Sequence, residues 1–126
     1  MLKKASVIVP TKNPGGILRS VLAAVCNQKT DFDFDVLVID SGSTDGTVEF
    51  VRQFDDPRVR LHEIAPAEFG HGKTRNLGVS LTEGEFAVLI THDALPANEG
   101  WLAAMVRPAE QDPDVAGVFG LSLIHI

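Results

Sequence analysis

Three short apolar runs, each stopped by a polar or turn-forming residue, most constrain the fold of this chain. Residues 5–9 (ASVIV), 35–39 (DVLVI) and 85–90 (EFAVLI) have the length and nearly continuous apolar character of buried strands. The segment after the first run carries one helical stripe of apolar residues, namely Ile17, Leu18, Val21, Leu22 and Val25. Buried strands that alternate with helices predict an α/β domain, a mostly parallel sheet covered by helices on both faces.

The remaining segments predict weaker elements of the same kind. Val59 and Leu61 alternate with the polar residues Arg60 and His62, which predicts a half-exposed strand at the edge of the sheet, with the three apolar strands central. Polar residues at 43–45 and at Asn98, and a glycine-rich turn at 70–72, precede three further helices. Residues 115–119 predict a fifth strand.

Length and charge limit the classes of function. A chain of 126 residues suits one domain, and a net charge of −6 argues against a general nucleic-acid binder. A small anionic ligand remains compatible, because it needs only a few local donors. The single cysteine excludes an internal disulfide, and the longest apolar run is far short of the ~20 residues of a membrane span. We therefore expect no membrane span and a cytoplasmic location, with membrane association of a longer protein left open.

Polar residues directly follow three of the predicted strands. Pro10 and Thr11 follow the first strand, Asp40 and Ser41 the second, and residues 91–93 (THD) the fourth. In open parallel sheets, ligands bind beyond the carboxyl ends of the strands. We therefore expect these residues to line one cleft at that edge, and Arg75, at the start of a helix, to line the same cleft.

Four segments, taken in order, resemble a known family. They are residues 6–13 (SVIVPTKN), 38–47 (VIDSGSTDGT), 69–78 (FGHGKTRNLG) and 91–96 (THDALP). Each motif alone is weakly specific, but the ordered set over residues 4–119 resembles the family 2 glycosyltransferases. The third and fourth motifs look closest to the bacterial rhamnosyltransferase branch. The resemblance implies a GT-A fold and a nucleoside-diphosphate-sugar donor of the uridine or thymidine type.

The resemblance also implies a set of donor-binding residues, which are Pro10, Thr11, Asn13, Asp40, Ser41, Lys73, Arg75, His92 and Asp93. Thr11 and Asp40 stand at neighbouring strand ends and offer hydrogen bonds to a nucleobase. Asp40 is alternatively a turn-forming residue, and Asp45 is interpreted as a helix cap. Arg75, in the first turn of a helix, can hold a diphosphate through two parallel hydrogen bonds, or be a solvated surface residue.

The motif at residues 91–93 indicates a metal site. Mg²⁺ or Mn²⁺ prefers oxygen ligands and accepts substrate phosphates, and Asp93 is the candidate ligand. The family pattern has two acids flanking one residue, but Thr91 occupies the first position, so half of the motif is present. His92 is a candidate phosphate or metal contact, although a lone loop histidine such as His92 or His71 is more often polar surface.

The mechanism implied by the resemblance is inverting sugar transfer to a glycan or lipid-linked acceptor in bacterial polysaccharide synthesis. A carboxylate base would deprotonate the acceptor hydroxyl, and the resemblance places that base beyond residue 120. We therefore expect residues 1–120 to be the donor-binding part of a truncated GT-A domain. Residues 121–126 (LSLIHI) resemble a translated sequencing adapter and are expected to be non-native, with a genuine apolar strand as the alternative.

Two other classes of function compete with this one. A non-catalytic nucleotide-binding module is the first, and a P-loop hydrolase is the second. Residues 72–74 match the end of the Walker A pattern, but Ala67 stands where its first glycine is required. A dinucleotide oxidoreductase is poorly supported, because no Gly-x-Gly-x-x-Gly follows the first strand.

Overall fold

The computed structural model describes residues 5–82, 84–92, 94–96 and 98–111, as alternating strands and helices. The elements are β1 (Ala5–Thr11), α1 (Ile17–Cys26), β2 (Phe34–Asp40), α2 (Thr47–Arg52), β3 (Val59–Glu63), a 3₁₀ turn (Pro66–Glu68), α3 (His71–Ser80), β4 (Phe86–Leu89) and α4 (Trp101–Gln111). The predicted strand at 115–119 and the tail at 121–126 lie outside the described residues. No helix in the described part of the chain is long and apolar enough to cross a membrane.

The four described strands form one parallel sheet in the order β3-β2-β1-β4. The predicted central position of β1 and β2 and the edge position of β3 are confirmed. Among the described strands, β4 is the outer strand on the other side, although the sequence predicted a central one.

The register of the sheet brings the ends of its strands together. β1 and β2 pair over their whole length, from Ala5 opposite Phe34 to Thr11 opposite Asp40. β4 joins β1 on the other side, and the Ile90 amide after its end donates to the carbonyl of Ile8. The polar residues that follow these strands therefore lie at one edge of the sheet, as the parallel arrangement predicted.

One face of the sheet packs against α1, α2 and α4. Its core combines alternate strand residues with helix residues, including Val7, Val9, Val36, Val38, Leu18, Val21, Leu22, Val25, Val51, Leu102 and Val106. Full burial of such a side chain contributes roughly 1.5–3 kcal/mol. The predicted stripe of α1 is correct except for Ile17, which is 37% exposed. Ile17 is the first residue of the helix, and the later positions of the stripe cover the sheet.

The opposite face packs against α3 through small residues. Its core consists of Ile8, Leu37 and Ile39. Thr74 and Gly78 are the buried residues of α3, whereas Leu77 and Leu81, on which the sequence interpretation relied, are half-buried. A Cβ atom at Gly78 would lie 2.7 Å from Cγ2 of Ile8, so the helix approaches the sheet at a distance that only glycine permits. Helices on both faces are thus confirmed.

Candidate functional site

The carboxylate of Asp40, the last residue of β2, accepts four hydrogen bonds from its surroundings. Oδ1 accepts from the hydroxyls of Thr11 (2.7 Å) and Ser43 (2.5 Å). Oδ2 accepts from the backbone amides of Gly42 (3.1 Å) and Ser43 (2.8 Å). Burial acts to raise the pKa of Asp40, but the hydrogen bonds from Ser43, Thr11 and Gly42 outweigh it, so the pKa lies below its usual value. The geometry is that of a turn-forming aspartate, so a direct contact with a nucleobase remains a prediction.

Ser41 follows Asp40 and is also engaged within the protein. Its backbone amide and its hydroxyl both donate to the carbonyl of Thr11, at 3.1 and 3.2 Å. Ser41 and Thr11 are buried, with 4% and 3% of their surface exposed. These bonds join the ends of β1 and β2 directly past the last pair of the ladder.

Asn13 extends the connection into the loop after β1. Its φ of 47° is in the left-handed region, which asparagine tolerates better than most residues. In this conformation its amide donates to the Ser43 hydroxyl (2.8 Å), and its Oδ1 accepts from the Thr44 amide (2.7 Å). Asn13 was predicted to contact the nucleotide-sugar donor. In the structure its side-chain oxygen accepts a hydrogen bond from the facing loop.

Lys12 completes what we call the clamp, residues 11–15 joined to residues 40–45. Its Nζ donates to the carbonyl oxygens of Gly42 (2.8 Å) and Ser41 (3.2 Å). Although Lys12 is exposed at the edge of the sheet, its ammonium group is directed at the backbone of the facing loop. The clamp thus uses a cation that would otherwise be available to an anionic ligand.

Asp45 closes the far end of the clamp. Its Oδ2 accepts from the Gly15 amide (2.9 Å), while its Oδ1 accepts from the amide and hydroxyl of Thr47 at the start of α2. The hydrogen bond from the Thr47 side chain is the main reason that the pKa of Asp45 lies below its usual value. The predicted role at the start of the helix is present, although Gly46 occupies the cap position itself.

A cleft of about 260 Å³ lies between the end of β1, the end of β4 and the start of α3. Its lining residues are Pro10, Thr11, Lys12, Phe69, His71, Thr74, Thr91 and His92. The structure therefore brings three of the predicted site residues, Pro10, Thr11 and His92, to one cavity. Asp40 and Ser41 lie behind Thr11, and Asp93 is outside the described residues.

The wall formed by α3 and the turn before it contains residues that the sequence analysis did not assign to the site. Thr74 fixes this turn, since its amide donates to the Gly70 carbonyl (2.7 Å) and its hydroxyl accepts from the Gly70 amide (3.3 Å). Phe69 is 41% exposed and meets His71 edge to face, with 5.3 Å between ring centroids. An isolated phenylalanine in a glycine-rich loop has no periodicity; its adjacency to Gly70 in the third motif was the available signal.

Lys73 and Arg75 lie exposed in the first turns of α3. Within the described ranges, neither side chain makes a hydrogen bond or an ion pair, in contrast to Lys12. They do not line the cleft, but they stand on the helix that forms one of its walls. Their role as diphosphate contacts remains a prediction, and their charges are available for it.

His92 is held by the backbone of the first loop. The Lys12 amide donates to Nδ1 of His92 at 3.3 Å. A neutral imidazole that accepts at Nδ1 carries its proton on Nε2, so His92 offers an N–H donor in the cleft wall. This placement across the β1–β4 junction agrees with the predicted proximity of the two strand ends.

Asp93, the residue predicted to bind a metal ion, lies outside the described residues. Among the described residues, no three His, Cys, Asp or Glu side chains lie close enough to hold an ion. Thr91 and His92, at the edge of the cleft, are weak partners for Mg²⁺ or Mn²⁺, which prefer carboxylate and phosphate oxygens.

The arrangement defines a class of protein. A parallel sheet covered on both faces, with a ligand-sized cleft at the carboxyl ends of its strands, is typical of α/β domains that bind nucleotides. The P-loop alternative does not fit, because residues 72–74 lie inside α3, which follows a 3₁₀ turn and not a buried strand.

Comparison with known proteins identifies the family. The chain belongs to Glycosyl transferase family 2, whose model matches residues 6–122. It is 35% identical over 123 residues to the O-antigen chain rhamnosyltransferase RfbN of Salmonella typhimurium, covering 97% of this chain and 38% of that protein. It is 31% identical over 113 residues to a chondroitin synthase of Escherichia coli, covering 88% of this chain and 16% of that protein. The chain thus spans well under half the length of these relatives.

Solved structures confirm the GT-A fold. The mannosyltransferase PcManGT from Pyrobaculum calidifontis, in complex with GDP-Man and Mn²⁺, matches with a TM-score of 0.77 and 30% identity over 91% of this chain and 34% of its own. S. aureus TarS 1-349, in complex with UDP-GlcNAc, matches with a TM-score of 0.71 and 31% identity over 85% of this chain and 32% of its own. The predicted family and fold are therefore correct.

Proposed function

We propose that this chain is the donor-binding part of a glycosyltransferase that uses a nucleoside-diphosphate sugar in polysaccharide synthesis. Family membership supports the reaction class, and the relatives include an O-antigen rhamnosyltransferase and a chondroitin synthase. The observation that carries the proposal is the cleft at the ends of β1 and β4, bounded by the clamp on one side and α3 on the other. The free cysteine fits a reducing compartment, so the cytoplasm is the proposed location.

The base of the donor nucleotide, which is of the uridine or thymidine type, is uracil or thymine and occupies the end of the cleft beside Pro10 and Thr11. Backbone groups at this strand end are fixed by the clamp, and fixed groups recognise a base at a low cost in ordering. Asp40 takes part in one of two ways: it exchanges one of its four hydrogen bonds for the base, or it holds Thr11 in place. Asn13 and Ser41 act through the shape of the clamp.

The diphosphate lies toward the start of α3. Arg75 holds it through its planar guanidinium, and Lys73 adds a second positive charge that no described residue neutralises. The amides at the N-terminus of α3 and Nε2–H of His92 are further donors on the same side. During transfer these groups stabilise the negative charge that develops on the leaving diphosphate.

A divalent cation, Mg²⁺ or Mn²⁺, is the proposed cofactor, with Asp93 as its protein ligand. The support comes from the related mannosyltransferase with GDP-Man and Mn²⁺ and from the position of Asp93 after β4. When bound, the ion neutralises charge on the diphosphate. With Thr91 in place of the first acid of the motif, the ion takes most of its remaining ligands from phosphate and water.

Transfer itself needs a group that lies outside the cleft walls described above. The acceptor, a glycan or a lipid-linked sugar, attacks C1 of the donor sugar through a hydroxyl while a base takes the proton of that hydroxyl. Inversion at C1 follows because the attack comes from the side opposite the leaving diphosphate. We place that base beyond residue 120, so residues 1–120 bind the donor.

Calorimetry on the 126-residue chain tests donor binding. UDP and dTDP should bind, and binding should tighten with Mn²⁺, whereas a glycosyl-transfer assay with the same chain should show no product. Circular dichroism must first show that the chain is folded. A folded chain that binds no nucleotide contradicts the proposed function, and efficient sugar transfer contradicts the position of the base.

Two substitutions separate the roles of the carboxylates. Asp40→Ala should weaken UDP binding without metal by ~1 kcal/mol or more, because a base contact or its support is lost. Asp93→Ala should remove the enhancement by Mn²⁺ and leave metal-free binding unchanged. Asp55→Ala is the matched control, since Asp55 is an exposed aspartate in the loop after α2, away from the cleft.

A further inference from the structure

We propose that Phe69 is the platform on which the donor's nucleobase stacks. The inference rests on the proposed function and adds a residue of the cleft that makes flat contact with the base. It follows from two observations. The polar side chains of the clamp are bonded within the protein, and Phe69 lines the opposite wall of the cleft.

The clamp leaves a base few side-chain partners on its own side. The carboxylate of Asp40 already accepts four hydrogen bonds, Nζ of Lys12 donates to two backbone carbonyls, and Oδ1 of Asn13 accepts from the facing loop. A ligand that meets this wall finds mainly backbone groups and the apolar surface of Pro10. Much of the affinity for a base must therefore come from the other side of the cleft.

Phe69 supplies that other side. It is a large apolar side chain with 41% of its surface exposed, and it lines the same cleft as Pro10 and Thr11. Its contact with His71 is edge to face, with an angle of 74° between the rings, so the two rings are not stacked face to face on each other. Val79 of α3 is similarly exposed, at 47%, but does not line the cleft.

The occupant that fits is the planar base and not the sugar. Phe69 shares its cavity with Thr11, whose hydroxyl is bonded to Asp40 at the end of β2, where the base is proposed to lie. The transferred sugar is attached to the other end of the diphosphate, away from the base. Stacking of a base on an aromatic ring changes affinity roughly five- to a hundredfold, which is a measurable share of a nucleotide's binding.

Titration of three variants with UDP and with inorganic pyrophosphate tests the inference. Phe69→Leu, which keeps the apolar volume but not the flat ring, should weaken UDP binding about tenfold and leave pyrophosphate binding unchanged. Phe69→Trp should bind UDP at least as tightly as the wild type. Val79→Ala, the matched control, should change neither constant.

Fluorescence gives a direct readout of the contact. Trp101 is the only tryptophan of the sequence and is 3% exposed. In the Phe69→Trp variant, the new tryptophan should therefore account for most of any fluorescence change that a ligand in the cleft produces. UDP should quench this new emission, and pyrophosphate should not. This measurement also decides the matter if Phe69→Leu proves unstable.

The outcomes separate the two proposals. A folded wild-type chain that binds no UDP overturns the proposed function and this inference together. Normal wild-type binding with an unchanged Phe69→Leu constant and no quenching overturns the inference alone. If Phe69→Leu lost equal affinity for UDP and for pyrophosphate, the ring would have a structural role. If it lost affinity for UDP-glucose but not for UDP, the ring would contact the sugar. Either result overturns the inference.

Discussion

The two walls of the cleft differ in how their polar groups are used. On the clamp side, the side chains of Lys12, Asn13 and Asp40 all bond to the protein itself. On the α3 side, Lys73 and Arg75 are exposed, and no bond from either side chain reaches another described residue. One wall is ordered before any ligand arrives, and the other keeps its charge available.

This difference suggests a division of labour. Groups that are already bonded gain little from a ligand but hold the backbone in place, whereas unpaired cations gain a great deal from an anionic diphosphate. Substitutions in the clamp should therefore reduce mainly stability, and substitutions of the charged residues on α3 should reduce mainly binding. The four predictions below test that division, from the largest expected effect to the smallest.

The largest effect is expected for Asp40→Ala on the clamp side. The substitution removes the acceptor of four hydrogen bonds and leaves the buried Thr11 hydroxyl and the half-buried donors of Gly42 and Ser43 without it, which should lower the free energy of unfolding by roughly 2–4 kcal/mol. The midpoint of thermal unfolding, followed by circular dichroism, should fall by roughly 10 °C. Asp55→Ala should leave the midpoint almost unchanged; a stable Asp40→Ala protein would show that the clamp does not hold the fold.

On the α3 side, the largest effect on binding is expected for Arg75→Ala. Loss of a charge-assisted contact should weaken UDP binding by about 1.5–3 kcal/mol, with the free energy of unfolding changed by no more than about 0.5 kcal/mol. Arg75→Lys should restore part of the affinity, because it keeps the charge but not the planar fork. Arg52→Ala, which breaks an exposed ion pair with Glu63, is the calorimetric control and should bind UDP normally. A strong loss of stability in Arg75→Ala would contradict the division.

Two glycines of α3 test how closely this helix packs against the sheet. Gly78→Ala should destabilise the protein by about 1–2 kcal/mol, because overlap with Ile8 outweighs the better helix propensity of alanine. Gly72→Ala, in the same helix, meets nothing closer than 3.7 Å and should be neutral or stabilising. Urea unfolding of both variants measures the difference, and equal effects would contradict the close approach of α3.

The smallest effect concerns acid stability of the clamp. Because the pKa values of Asp40 and Asp45 are lowered in the folded protein, the stability they contribute is present above the ordinary aspartate pKa of ~3.9 and is lost as the pH falls through the lowered values. The urea midpoint should therefore drop between about pH 4 and more acid solutions. Asp45→Asn should make that drop shallower, and an identical slope would show that Asp45 carries none of it.

The position of the cleft was predictable, because it depends on patterns that sequence displays. Runs of apolar residues located β1 and β2, and the parallel arrangement then brought Thr11 and Asp40 to the same edge. The edge position of β3 followed from the alternation of its side chains. These inferences need only the period of a pattern and the direction of a strand.

The bonding within the cleft was not predictable by the same means. Sequence indicated that Asp40 and Asn13 lie near the ligand, but not that their side chains bond to facing loops, because that depends on rotamers and on the φ of Asn13. The packing of α3 was missed for a related reason: a helix that approaches a sheet closely uses Gly78 and Thr74, which carry no apolar signal. Phe69 was missed because a single exposed ring has no period.

The clamp also has a consequence for how the chain acquires its native state. The bonds between its two segments join residues that are 29 to 31 positions apart. The contact between Lys12 and His92 spans 80 positions. Such contacts need long loops to close first, so we expect them to form late in folding. A nucleotide that binds at this edge would then select completed molecules and shift the folding equilibrium toward them. Hydrogen exchange at the Ser41 amide would report on the completion of the fold itself, because this amide donates to the carbonyl of Thr11, 30 positions away.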